Sequence, residues 1–210
     1  MTKAPEAGII GGFAGKIPAR GDFVHGGLPR DFVEPWYDWL ERALAGSRAM
    51  MGEAWLDAFL EAPVWRFVLP PDLCGPRAAI GLMLPSVDKV GRYFPLTFAA
   101  LSALPFPVRA PFPVTDTPPG ATAPIPPVWT DWLDQAEDLG RRALDEDLAP
   151  DALMPSPTPL PMTADRQTAA LWWTEGGPRV AATRFTLTAH PVPACYARML
   201  GHLIPPEAAS

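Results

Sequence analysis

Six charged side chains on two glycine-bearing runs have the residue types for chemistry in this sequence. The first run, Gly11-Gly-Phe-Ala-Gly-Lys-Ile-Pro-Ala-Arg-Gly-Asp-Phe-Val24, carries Lys16, Arg20 and Asp22. The second, Gly81-Leu-Met-Leu-Pro-Ser-Val-Asp-Lys-Val-Gly-Arg-Tyr-Phe-Pro95, carries Asp88, Lys89 and Arg92. Each opens as an apolar strand, breaks at a proline and then sets acidic and basic residues beside a glycine, the pattern of a tight polar turn. Such turns can build two things. One is a set of internal ion pairs that pins the turns together. The other is a charged recognition surface, here framed by Phe23, Tyr93 and Phe94, because aromatics beside arginine mark interfaces.

Catalytic layouts fit less well. A phosphate loop needs a glycine five residues before its Gly-Lys pair and a Ser or Thr after it. Around Gly15-Lys16 those places hold Ile10 and Ile17. Ser86, Asp88 and His25 have the residue types of a hydrolytic triad, yet no Gly-x-Ser-x-Gly elbow is present. Ser86 and Asp88 sit in Pro-Ser-Val-Asp, where both are ordinary turn formers. His25, His190 and His202 with Cys74 and Cys195 give no zinc-ligand spacing, so neither metal nor cofactor is expected.

The elements that must position the turns follow from periodicity. Ile9 to Ala14 reads as a buried strand and Lys16 to Gly27 as a structured loop. Pro29 to Val33 reads as a short turn and Pro35 to Ala45 as a helix, split because proline is comfortable only in a first helical turn. Phe32, Trp36, Trp39, Leu40, Ala43 and Leu44 share its apolar stripe. A second helix, Glu53 to Glu61, should bury Trp55, Leu56, Phe59 and Leu60. Val64 to Leu69, Ala78 to Leu84 and Arg92 to Leu101 read as strands, the last two joined by the turn Pro85 to Gly91 and so antiparallel. Val128 to Asp147 is an amphipathic helix with Trp129, Trp132, Leu133, Ala136, Leu139, Ala143 and Leu144 inward. Its acids Asp131, Asp134, Glu137 and Asp138 suit the positive end of the helix dipole. Ala170 to Thr174 and Arg179 to Ala189 form a hairpin around Glu175-Gly-Gly-Pro178, with Trp172 and Trp173 on opposite faces. A last helix starts at Pro191 or Pro193 and ends near Leu203. This order is not a βαβ alternation; it predicts an α/β (α+β) chain with a largely antiparallel sheet covered by helices.

Composition bounds the function. The net charge of −6 over 210 residues repels phosphate backbones and anionic lipid, so neither nucleic acid nor membrane insertion is expected. No apolar run reaches the roughly 20 residues of a membrane helix, and the N-terminus lacks the apolar core of a signal peptide. That points to the cytoplasm, where Cys74 and Cys195 stay free and buried. Of the 29 prolines, 14 concentrate in 105–127 and 150–161, which read as extended surface connectors. The hairpin and helix of 169–204 hold too little apolar material to stand alone, so residues 1–210 are expected to form one domain.

The two runs also resemble the TagF family, also called ImpM, a component of bacterial type VI secretion gene clusters. The likeness runs through Gly12-Phe-Ala-Gly-Lys-Ile-Pro-Ala-Arg-Gly-Asp-Phe23, Leu28-Pro-Arg-Asp-Phe-Val-Glu-Pro-Trp36, Ala62-Pro-Val-Trp-Arg-Phe67, Cys74-Gly75 and Pro85-Ser-Val-Asp-Lys-Val-Gly-Arg-Tyr-Phe-Pro-Leu96. It covers residues 9–104; beyond Pro105 the layout is compatible. The resemblance implies a three-layer α/β/α sandwich. It implies a cytoplasmic accessory protein, not an enzyme, that represses type VI secretion after translation by binding the system's forkhead-associated-domain protein. It carries over no catalytic residues. Lys16, Arg20, Asp22, Asp88, Lys89 and Arg92 are the candidate partner-binding residues. Two alternatives stay open: a hydrolase acting on a phosphorylated or acylated substrate through the same turns, and a structural subunit of the apparatus.

Overall fold

The computed structural model describes residues 9–106, 127–146, 148–155 and 168–202. Seven strands form one antiparallel sheet: β1 (Ile10–Gly15), β2 (Val24–Gly26), β3 (Trp65–Leu69), β4 (Ala78–Leu84), β5 (Leu96–Ser102), β6 (Ala170–Thr174) and β7 (Thr183–Leu187). Their spatial order is β2-β1-β5-β4-β3-β6-β7. The predicted hairpin of β4 and β5 holds, with Gly81 opposite Ala99. The C-terminal hairpin joins the same sheet through β3, Phe67 facing Trp172.

The buried central strands alternate between two apolar clusters, as period-2 geometry requires. Phe67, Leu69, Ala79, Ala99 and Leu101 face one cluster, with Trp36, Trp39 and Leu40 of α1 (Arg30–Met51), Phe59 of α2 (Trp55–Leu60) and Tyr196 of α4 (Pro193–Met199). Val68, Ile80, Leu82, Phe98 and Ala100 face the other, with Trp129, Trp132 and Leu133 of α3 (Pro127–Asp145). Trp172 and Trp173 divide between the two as expected. Several of the buried indoles are anchored. Trp36 Nε1 donates to Thr97 Oγ1 at 3.0 Å, Trp39 Nε1 to the Pro191 carbonyl at 2.8 Å and Trp65 Nε1 to the Met199 carbonyl at 3.0 Å.

The structure corrects several expectations. Helix α1 runs unbroken from Arg30 to Met51 through Pro35. An interior proline costs about 3 kcal/mol, but Trp36, Trp39 and Leu40 are each worth roughly 1.5–3 kcal/mol on burial, so packing overrides the break. The helix drawn from Glu53 becomes a 3-10 turn, Gly52–Ala54, followed by α2. Trp55 and Phe59 are buried, while Leu56 and Leu60 lie on the exposed side. The loop 16–27 contains β2, a short edge strand paired with β1. Arg92 to Pro95 belong to the turn before β5, not to the strand. The hairpin's second strand is confined to Thr183–Leu187.

The connectors are not wholly extended: Phe106 is buried against Trp129, and Pro150–Leu153 forms a 3-10 turn with Leu153 inside. The rest of both, 107–126 and 156–161, lies outside the described residues. Asp134 and Glu137 reach across to Arg66 on β3, both at 2.9 Å, so those two acids join α3 to the sheet. Among the described residues no helix is long and apolar enough to cross a membrane.

Candidate functional site

The β1–β5 pairing places Ala14 opposite Thr97 and so brings the ends of both runs to one corner of the sheet. At Gly15 the chain takes a φ of 145°, and a side chain there would collide with the Pro95 carbonyl and Leu96. Only glycine allows the first run to leave β1 this close to the second. The backbone knits the turns further. Lys89 N donates to the Arg20 carbonyl at 2.9 Å, and the buried Ser86 hydroxyl donates to the Lys16 carbonyl at 2.6 Å.

Asp88 lies at the centre, its side chain sealed from solvent. Oδ2 accepts from Lys16 Nζ at 2.6 Å and from Arg92 Nε at 2.7 Å. Oδ1 accepts from the amides of Val90 at 3.0 Å and Arg92 at 2.8 Å. These four donors fill the lone-pair positions a carboxylate offers. Burial works to raise this carboxyl, but the hydrogen bonds from Lys16, the Arg92 amide and guanidinium, and the Val90 amide outweigh it. Asp88 is thereby held well below the usual carboxylate range. Asp88 in turn keeps the Arg92 guanidinium protonated beyond its ordinary range. Arg92 Nη2 also donates to the Gly21 carbonyl and stands 3.6 Å from Asp22 Oδ1.

All six predicted residues therefore meet, but in two roles. Lys16 and Asp88 are buried; Asp22, Lys89 and Arg92 are exposed, and Arg20 is half-buried. The aromatic frame differs from expectation. Phe23 packs edge-on to Phe94 at 4.8 Å and beside Tyr37 of α1 at 4.9 Å, with Lys16 Nζ 4.8 Å from its ring centroid. Tyr93 turns away to Trp55 and Phe59. Tyr37 was not foreseen; on a helical wheel it sits at the edge of the apolar stripe, and nothing local marks it as the lid of this corner. Burial raises its phenol, with the Gly15 backbone opposing.

The triad residue types do not form a relay. The Ser86 hydroxyl is committed to a backbone carbonyl, Asp88 has its acceptor positions filled, and His25 is exposed on β2. Cavities of about 360 and 330 Å³ lie elsewhere. One, between β7 and α4, is lined by Trp65, Phe185, Cys195 and Arg198; the other lies beside Pro70, Leu73 and Thr188. Cys74 is buried and Cys195 half-buried, and no disulfide joins them. No group of three or more His, Cys, Asp or Glu placed to hold a metal occurs among the described residues.

No curated protein matches this sequence. In three dimensions the chain is similar to PA0076 from Pseudomonas aeruginosa PAO1, known from a crystal structure at 2.05 Å resolution. The two are 32% identical with a TM-score of 0.71, over 93% of this chain and 97% of that one. The family described as TagF N-terminal domain, type VI secretion system-associated, matches residues 12–156, which reach past the two runs through α3 to Pro155 and Ser156. These runs, their meeting at Asp88 and both likenesses lead to one conclusion: the chain belongs to the TagF family of bacterial type VI secretion system-associated proteins.

Proposed function

We propose that this TagF-family protein is a cytoplasmic regulator of type VI secretion. In this reading it represses the apparatus after translation by docking onto the system's forkhead-associated-domain protein through the two joined turns. The supporting observation is the state of Asp88. Its four hydrogen bonds turn it into a structural pin, and it holds Arg92 at the surface beside exposed Lys89. A general base needs an accessible lone pair within reach of substrate; this carboxylate has none to offer. A rigid charged corner whose central carboxylate is fully committed suits recognition better than turnover.

We read the two apolar clusters as the halves of a three-layer α/β/α sandwich. The hydrogen bonding of β6 to β3 supports treating residues 1–210 as one domain. Neither nucleic acid nor a membrane is a partner in this reading, and no cofactor takes part.

Affinity purification from cells carrying the whole secretion gene cluster tests the proposal. The forkhead-associated-domain protein should co-purify, and charge reversal at Arg20 or Arg92 should abolish the capture while circular dichroism shows each variant folded, the Arg92 variant melting lower because it sets a carboxylate beside buried Asp88. Two folded charge-reversal variants that capture the partner normally would show that the surface is misplaced.

A further inference from the structure

We infer that the tip of the second turn, Lys89-Val90, is the element that enters the partner, and that it fits an acidic protein face with an apolar hollow at its centre. The inference rests on the docking role assigned to this corner and adds the chemistry of what is docked. Val90 is 67% exposed, the highest value among the exposed large hydrophobics of the described residues, and Phe23 on the adjoining turn is 41% exposed. A β-branched apolar residue is unusual at a turn tip, where Gly, Asn, Asp and Ser prevail.

The tip is held rigidly. Asp88 Oδ1 binds the amides of Val90 and Arg92, the Gly91 amide donates to the Asp88 carbonyl at 3.0 Å, and Gly91 takes a φ of 84°. A side chain presented in one conformation loses little entropy on binding. The charge around it selects the partner. The two turns carry Lys16, Arg20, Lys89 and Arg92 against Asp22 and Asp88; Asp88 is engaged by Lys16 and Arg92, and the exposed Asp22 lies 3.6 Å from Arg92, so the cations outnumber the carboxylates. Helix α1 adds Glu34 and Glu41 one turn to either side of Tyr37, and Arg30 pairs with the first. This cationic tip stands on a chain of net charge −6. An acidic partner is thus drawn to this corner and repelled by the rest, which fixes orientation as well as attraction.

Titration of the purified forkhead-associated-domain protein against wild type, Val90→Ser and Lys89→Glu, each at about 50 and 300 mM salt, tests this. Neither side chain makes an ion pair or hydrogen bond among the described residues, so both variants should melt like the wild type. Val90→Ser should weaken binding roughly fivefold or more and Lys89→Glu roughly tenfold or more, with wild-type binding weakening as salt rises. Wild-type affinity in both variants would overturn the inference; if Arg20 or Arg92 reversal still abolished binding, the docking role would survive. Loss in Lys89→Glu with none in Val90→Ser would remove the apolar hollow. No binding by the wild type at either salt would overturn the inference and the docking role together.

Discussion

Replacing Asp88 by asparagine removes the charge on which both turns converge. The Lys16 and Asp88 side chains are 5% and 0% exposed. Stripping one partner from a buried ion pair costs about 3–5 kcal/mol, because the other charge stays buried without compensation. The low end applies here, since the Lys16 ammonium keeps the Phe23 ring 4.8 Å away. Arg92, 55% exposed, is rescued by water and adds little. A loss of about 3 kcal/mol lowers the melting temperature of a chain this size by roughly 6–12 °C. The double variant Lys16→Met/Asp88→Asn strands no buried cation and should recover at least half of the loss. The pH dependence has a definite sign. A carboxyl depressed in the folded state stabilises above its unfolded value of about 3.9 and loses that contribution as pH falls. The gap between wild type and Asp88→Asn should therefore hold from about pH 7 to 5 and narrow steadily as pH falls below about 4. Thermal and urea denaturation read all of this. An Asp88→Asn melt within about 1 °C of wild type, or a coupling to Lys16→Met below about 0.5 kcal/mol, would refute the pin.

Three further outcomes follow from the geometry. Gly15→Ala should cost about 3 kcal/mol or more, because it combines a strained backbone with a collision against the Pro95 carbonyl, and its amides on both turns should exchange faster. His190, stacked 4.9 Å from Trp39, is pulled down to about 4 by burial, with the Leu73 backbone opposing and Arg42 assisting. Its contribution is present above the unfolded value of about 6.5 and lost as pH falls through 4, so His190→Phe should flatten the stability slope between those limits. The Cys74 thiol is pushed up to about 12 by burial and by Asp31. It should resist alkylation at pH 8 in the native protein and react at once in urea, whereas rapid native labelling would contradict its placement.

The residues of the candidate site were legible, but their arrangement was not. The two runs declare their charges and glycines openly, yet the split between buried Lys16 and exposed Lys89 depends on antiparallel register between β1 and β5, strands some eighty residues apart. Tyr37 and the α1 path through Pro35 are tertiary effects. Local propensity argues for a break, and only the burial of Trp36 and Trp39 against the sheet overrides it. Leu56 and Leu60 misled because α2 is only six residues long and its inward face is already filled by Trp55, Ala58 and Phe59. Asp134 and Glu137 read as acids suited to the helix dipole because their partner, Arg66, sits on a distant strand. β2, three residues long and containing His25 and Gly26, has too little pattern to announce a strand. By contrast β3, β4 and α3 were plain, since continuous apolar runs and a long amphipathic stripe carry their own signal.

Hydrogen exchange of this chain with and without the purified forkhead-associated-domain protein tests the docking corner most directly. The account predicts new protection at Lys16 to Phe23 and Ser86 to Phe94, with the cleft between β7 and α4 unchanged. Protection that maps to Thr183–Leu187 and α4 while both turns exchange as before would contradict it.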